Sequence, residues 1–253
     1  MLETWTSRIR RRLNRQRDLE IRLNAAEVAI ACLCEGDTYA AGESVGLNGQ
    51  RGRKEIFADL AAAFAFEIAV ETGTWIGDTT GYLATTLNVP VHSCELHKIP
   101  HLVAKRRLSG IPRIRLERND SRTFLDGLRA VIPSATRCLF YLDAHWHTDL
   151  PLAQELKIIS ETWRNYVIVI DDFRVPGDDG YAYDAYGRGK SLSLEDFRSV
   201  FARHDLVSFF PRLPSAQETG YKRGCVVLAP AGAIADRIRE LSTLVAKETG
   251  PRS

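Results

Sequence analysis

The chain has 253 residues, 45% of them hydrophobic and 26% charged, with a net charge of +2. This is an ordinary globular composition, long enough for one large α/β domain plus an extension, and the absence of any run of about 18 apolar residues excludes a membrane-spanning helix. Seven arginines against three acidic residues put +4 on the first 22 residues and leave the remainder at −2; a mildly acidic body is not that of a dedicated nucleic-acid binder, so no nucleic-acid partner is expected.

The five cysteines are odd in number, and Cys94 and Cys138 sit inside apolar strand-like runs where buried free thiols are common. Cys32 and Cys34 have no second pair at zinc spacing and read as structural. The basic N-terminus leads into polar sequence, not the apolar core of a signal peptide. A soluble, cytoplasmic protein with no membrane partner is therefore expected.

In chain order, residues 1 to about 35 read as one or two amphipathic helices: Trp5, Ile9 and Leu13 recur at four, and Leu23, Ala26, Ile30 and Leu33 at three and four. These helices are the candidate surface for self-association. Gly36, Gly42, Gly46, Gly49 and Gly52 then mark a linker. The expected division is a helical extension with linker over 1–52 and a main domain over 53–253. Its first helix spans Arg53 to Phe64, with Ile56, Phe57, Leu60 and Phe64 on one face.

From Phe66 onward strands and helices alternate, the pattern of a doubly wound, mostly parallel sheet. The first strand, 66–72, ends in Glu71 and runs through Gly73, Thr74 and Gly77 into a helix from Thr79 to Leu87. Such a glycine turn lets a ligand approach bare backbone and the first N–H groups of the helix. Trp75 stands where a dinucleotide fingerprint has its second glycine, which argues against a pyrophosphate. Glu71 instead complements a cationic amine or sulfonium, and S-adenosylmethionine (SAM) carries both without a phosphate. The second strand, 90–95, ends in Glu95, 22 residues after Gly73, at the spacing of a carboxylate that accepts both ribose hydroxyls. The third, 114–118, leads into Asp120 and Ser121, which can meet an adenine edge or cap a helix. The expected cofactor contacts are Glu71, Gly73, Thr74, Gly77, Thr79, Glu95, Asp120 and Ser121.

The fourth strand, 138–142, ends at Asp143 before AHWHTDLP, a helix follows from Pro151 to Trp163, and the fifth strand, 166–170, ends at Asp171 and Asp172. Strands joined by one crossover lie side by side, so the three carboxylates should converge. Hard oxygens at such a point suit a divalent ion such as Mg²⁺ or Mn²⁺, giving Asp143, Asp171 and Asp172 as expected metal ligands. Beyond them a glycine-jointed loop carries Tyr181, Tyr183 and Tyr186 beside the site. A helix from 193 to 204, a strand pair at 206–210 and 225–228, and a terminal helix from 234 to 247 complete the expected elements.

VETGTWIGDTT, CEL, NDS, LDAHW and IDDF, in this order, resemble the class I SAM-dependent methyltransferases. Within them the aspartates are similar to those of the metal-dependent O-methyltransferases, of both the catechol and the bacterial sugar and antibiotic-tailoring types. The resemblance covers roughly Gly49 to Pro230. It implies a seven-stranded Rossmann-like sheet and methyl transfer from SAM to a hydroxyl of a small molecule or sugar, assisted by a divalent metal. Where the catechol type places a lysine and the tailoring type a second aspartate, this chain has Trp146 and His145. The expected catalytic residues are thus Asp143 and His145, with His147 as the alternative base, and a histidine that merely orients Asp143 as the alternative role. Two other readings remain at this stage: an enzyme similar to the cephalosporin-hydroxylase-like proteins on the same sheet, and a non-catalytic SAM-fold protein that binds a partner through its arginine-rich helices.

Overall fold

The computed structural model describes residues 46–145, 149–187 and 190–247, with Leu19, Leu23, Ala26 and Glu27 from the N-terminal segment, each of these four helical. The rest of the expected N-terminal helices, Cys32 and Cys34, Trp146 and His147 lie outside the described residues.

Among the described residues from 46 onward, seven α-helices and eight strands follow one another: α1 (Arg51–Ala63), β1 (Ile68–Thr72), α2 (Asp78–Leu87), β2 (Val91–Cys94), α3 (Lys98–Arg107), β3 (Ile114–Glu117), α4 (Ser121–Leu128), β4 (Arg137–Leu142), α5 (Leu152–Thr162), β5 (Asn165–Asp171), α6 (Leu194–Arg203), β6 (Leu206–Pro211), β7 (Cys225–Pro230), α7 (Ala233–Arg239) and β8 (Leu244–Ala246). They form one sheet in the order β3-β2-β1-β4-β5-β7-β6-β8. Strands β3 to β5 are parallel, and β7 enters antiparallel between β5 and β6.

Strand alternation divides the core into two layers. Val70, Phe140, Leu142, Ile168 and Ile170 face α4, α5 and α6, where Phe124, Leu156 and Phe201 close over them. Ala69, Tyr141, Val167, Val169 and Val227 face α1, α2 and α7, with Phe57, Leu60, Leu83 and Ile238. Both faces are covered, which is why the central strands are apolar without a polar alternate.

The chain end departs from expectation. The helix expected over 234–247 stops at Arg239, and Leu244–Ala246 forms an eighth, edge strand on β6. Helical spacing breaks at Ser242 and Thr243. Arg212 then holds the extended segment, donating from Nε to the Ser242 carbonyl at 2.8 Å and from Nη2 to that of Leu244 at 2.8 Å, while Leu244 is buried. The end of the glycine-rich stretch also belongs to the α/β body: Leu47 is fully buried, and Gln50 donates to the Arg223 carbonyl at 3.0 Å.

Register brings the site together. Thr72 pairs with Leu142, and Leu142 with Ile170, so β1, β4 and β5 deliver Gly73, Asp143 and Asp171 at one level. The connection that leaves β1 runs to β2 on one side, and the one that leaves the adjacent β4 runs to β5 on the other. That reversal leaves a crevice at the carboxyl edge, where ligands bind in open α/β sheets.

Candidate active site

The turn after β1 is shaped by backbone. Gly73 has φ +86°, and a Cβ there would lie 2.3 Å from the Asp143 carbonyl oxygen. No side chain fits without moving β4's exit. Trp75 adopts φ 50° and its N–H donates to Glu95 Oε2 at 2.8 Å, while the His97 N–H donates to Oε1 at 2.7 Å. Burial lifts the Glu95 carboxyl above its ordinary value, against these N–H groups. Gly77, with φ +92°, opens α2.

Glu71 lies below this turn, completely buried. Its Oε2 accepts from Thr80 Oγ1 and, at 2.5 Å, from Ser93 Oγ, and Thr74 Oγ1 lies 2.6 Å from the same serine oxygen. Oε1 has no hydrogen-bond partner among the described residues. Burial pushes the Glu71 carboxyl up to about 7, although the two hydroxyls oppose it. Thr79 is committed elsewhere, accepting from the Leu47 N–H at 3.2 Å. Asp120 caps α4 and binds the Arg122 side chain through Nε and Nη2 at 2.9 and 2.6 Å. Ser121 is buried beside it.

Asp143, His145 and Asp172 each offer a ligand atom, all within 4.8 Å of one another. His145 is 5% exposed, with Nε2 3.5 Å from Asp143 Oδ1 and 3.9 Å from Asp172 Oδ2. Two carboxylate oxygens and an imidazole nitrogen at this spacing fit a divalent ion. The carboxylates are electrostatically unlike. Burial, with Asp171 and Asp172 nearby, holds the Asp143 carboxyl well above the usual range. At Asp172 burial is outweighed by the nearby His145 imidazole and the Arg223 guanidinium that bonds it, and its carboxyl falls to about 2.

Asp171 stands apart from that group. Its Oδ1 pairs with Arg53 Nη1 and takes the Asp172 N–H at 2.7 Å; its Oδ2 accepts from Tyr141 Oη at 2.5 Å and Asn48 Nδ2 at 3.1 Å. Arg53, fully buried, also donates from Nη2 to the carbonyls of Arg223 and Gly224 at 2.5 and 3.0 Å. Every Asp171 oxygen is thus engaged inside the protein, and His145 occupies the third place in the group.

The tyrosine loop divides by role. Tyr181 is core, its hydroxyl donating to the Leu213 carbonyl at 2.9 Å. Tyr183 sits under the Arg174 guanidinium at 5.6 Å. Tyr186 meets His145 edge-on, with centroids 6.4 Å apart. Four participants escaped the sequence reading: Arg53, Glu155, Asp184 and Arg223. Glu155, on α5, is 1% exposed; burial raises its carboxyl while Ser121 and Thr72 hydroxyls oppose this.

The fold has counterparts in solved structures. Cofactor-bound Rv0187 from MTB matches with a TM-score of 0.54 at 19% identity, over 83% of this chain and 91% of that one. The O-methyltransferase from Bacillus cereus in complex with SAH matches with a TM-score of 0.50 at 14% identity, over 70% and 80%. This chain has the Rossmann-like α/β fold of these solved structures. No protein-family model and no curated protein matches the sequence. The described sheet carries one strand beyond the seven expected, β8, and no described helix is long and apolar enough to cross a membrane.

Proposed function

We infer that the chain is a SAM-dependent O-methyltransferase acting on a hydroxyl of a small molecule or sugar with the help of a divalent ion. The observation that carries this reading is the adjacency, at one sheet edge, of an acidic crevice suited to a cationic cofactor and the Asp143–His145–Asp172 group. The solved O-methyltransferase of the same fold, bound to SAH, supports it.

SAM supplies an electrophilic methyl group when bound, and Glu95 is the residue for its ribose hydroxyls, with the Gly73 turn admitting its aminoacyl end. Glu71 lies beneath that turn and gives the crevice negative potential once ionised. Asp143, His145 and Asp172 would hold a divalent ion, which would supply Lewis acidity toward an acceptor hydroxyl. Because Nε2 of His145 lies between both carboxylates, its role here is to hold the ion; the same nitrogen cannot then accept the acceptor's proton. Tyr186 closes one side of His145 and excludes water from it.

The test is transfer of a labelled methyl group from SAM to a panel of hydroxyl acceptors, with and without EDTA. Transfer that stops with chelator and returns with Mg²⁺ or Mn²⁺ is expected. Full turnover in excess EDTA would remove the metal from the reading, and oxygen-dependent product without methyl transfer would replace it with a hydroxylase.

A further inference from the structure

Arg223 sits immediately before the Gly224 carbonyl that Arg53 grips, yet its own guanidinium turns toward the candidate cation group. Nε donates to Asp172 Oδ1 at 2.5 Å, and Nη2 pairs with Asp184 Oδ1 on the tyrosine loop. The other Asp184 oxygen lies 2.9 Å from Tyr186 Oη, which is also 3.0 Å from the His145 carbonyl. Asp184 N–H returns to the Asp172 carbonyl at 3.0 Å. A chain of contacts therefore runs from Asp172 through Arg223, Asp184 and Tyr186 to the His145 carbonyl, touching two members of the group.

We propose that Arg223 is a positioning residue for the divalent-ion site: it occupies Oδ1 of Asp172, leaves Oδ2 turned toward His145, and through Asp184 holds Tyr186 against the imidazole. This rests on the reading of Asp143, His145 and Asp172 as a cation site. Asp172 needs such a restraint. Its backbone is in the left-handed region, φ 54°, one residue past the end of β5, so strand pairing does not set the direction of its carboxylate. Partners of ligating carboxylates fix orientation in this way, and their loss costs about 10- to 100-fold in metal affinity. Arg223 also carries a positive charge that by itself would repel a cation. The proposal is that orientation outweighs that repulsion, which makes its sign testable.

The experiment is Mn²⁺ titration of the full chain, followed by the electron-spin signal of free Mn²⁺, with SAM affinity and unfolding midpoint measured in parallel. Arg223→Gln should bind Mn²⁺ about 10- to 100-fold more weakly than the parent, Asp184→Asn should weaken it in the same direction, and Arg223→Lys should fall between, since lysine restores the charge but only one contact. SAM affinity and midpoint should stay at parental values, because the link from Arg53 uses the backbone of residue 223. Unchanged or tighter Mn²⁺ binding in Arg223→Gln would overturn the positioning role alone. Loss of Mn²⁺ binding together with SAM binding and midpoint would reduce Arg223 to a fold contact. A parent that binds no Mn²⁺ would overturn the cation site and this inference with it.

Discussion

Glu71 shows how far one buried side chain can carry a pH dependence. A carboxyl raised to about 7 when folded binds more protons in the native than in the unfolded state between roughly pH 4.5 and 7. Its contribution is therefore full below the unfolded value and is lost as pH rises through 7. Burying the ionised form costs on the order of 3 kcal/mol. Urea unfolding at pH 5 and pH 8 should show a difference between them that Glu71→Gln reduces; an identical difference in parent and variant would rule out the raised carboxyl. His145 has its own test at this scale. His145→Gln should lose Mn²⁺ affinity and turnover together. Turnover that falls about 10²- to 10⁴-fold with Mn²⁺ affinity intact would instead return it to the general-base role.

At the scale of elements, the fixed points are α1 and the turn after β1. Arg53 anchors α1 to β5 through a buried ion pair with Asp171 and to the residues just before β7 through the Gly224 carbonyl. Arg53→Met should destabilise the protein by about 3–5 kcal/mol by leaving Asp171 charged and unpaired. Chemical denaturation checks this, and the double variant with Asp171→Asn should be more stable than Arg53→Met alone. Gly73→Ala should lower SAM affinity, because its Cβ would press on the Asp143 carbonyl; parental affinity in calorimetry would contradict that.

These same elements separate what the sequence made legible from what it did not. Apolar strands that stop at acidic residues marked the crevice: Glu95 and Asp143 fall at strand ends as read. Asp171 and Asp172 were harder, because adjacent residues on a strand point to opposite faces. Alternation through Val167 and Val169 sends Asp171 to the α1 layer, and its partner Arg53 is 118 residues away in the chain. The signal was present but easily discounted. Arg53 stands three and four residues before Ile56 and Phe57 on α1's buried stripe, and Glu155 stands between Leu152 and Leu156 on that of α5. A charged residue on an apolar stripe marks a buried pair or a site. Arg223 and Asp184 carried no such mark, since both lie in connections whose path only the folded chain defines.

For the whole molecule, the sheet order places the crevice where the connections leaving β1 and β4 diverge, and the two halves of the proposed chemistry occupy its two sides: Glu95 and the glycine turn toward β2, the Asp143–His145–Asp172 group toward β5. Removing bound metal should therefore leave cofactor binding in place while abolishing transfer. The most direct check of the central claim is calorimetric titration of SAM into the full chain in the presence of EDTA, with Glu95→Ala beside it. One SAM per chain is expected, weakened by about 1.5–3 kcal/mol in the variant, the range for hydrogen bonds to a charged group. No SAM binding by the parent, or the same affinity in Glu95→Ala, would contradict it.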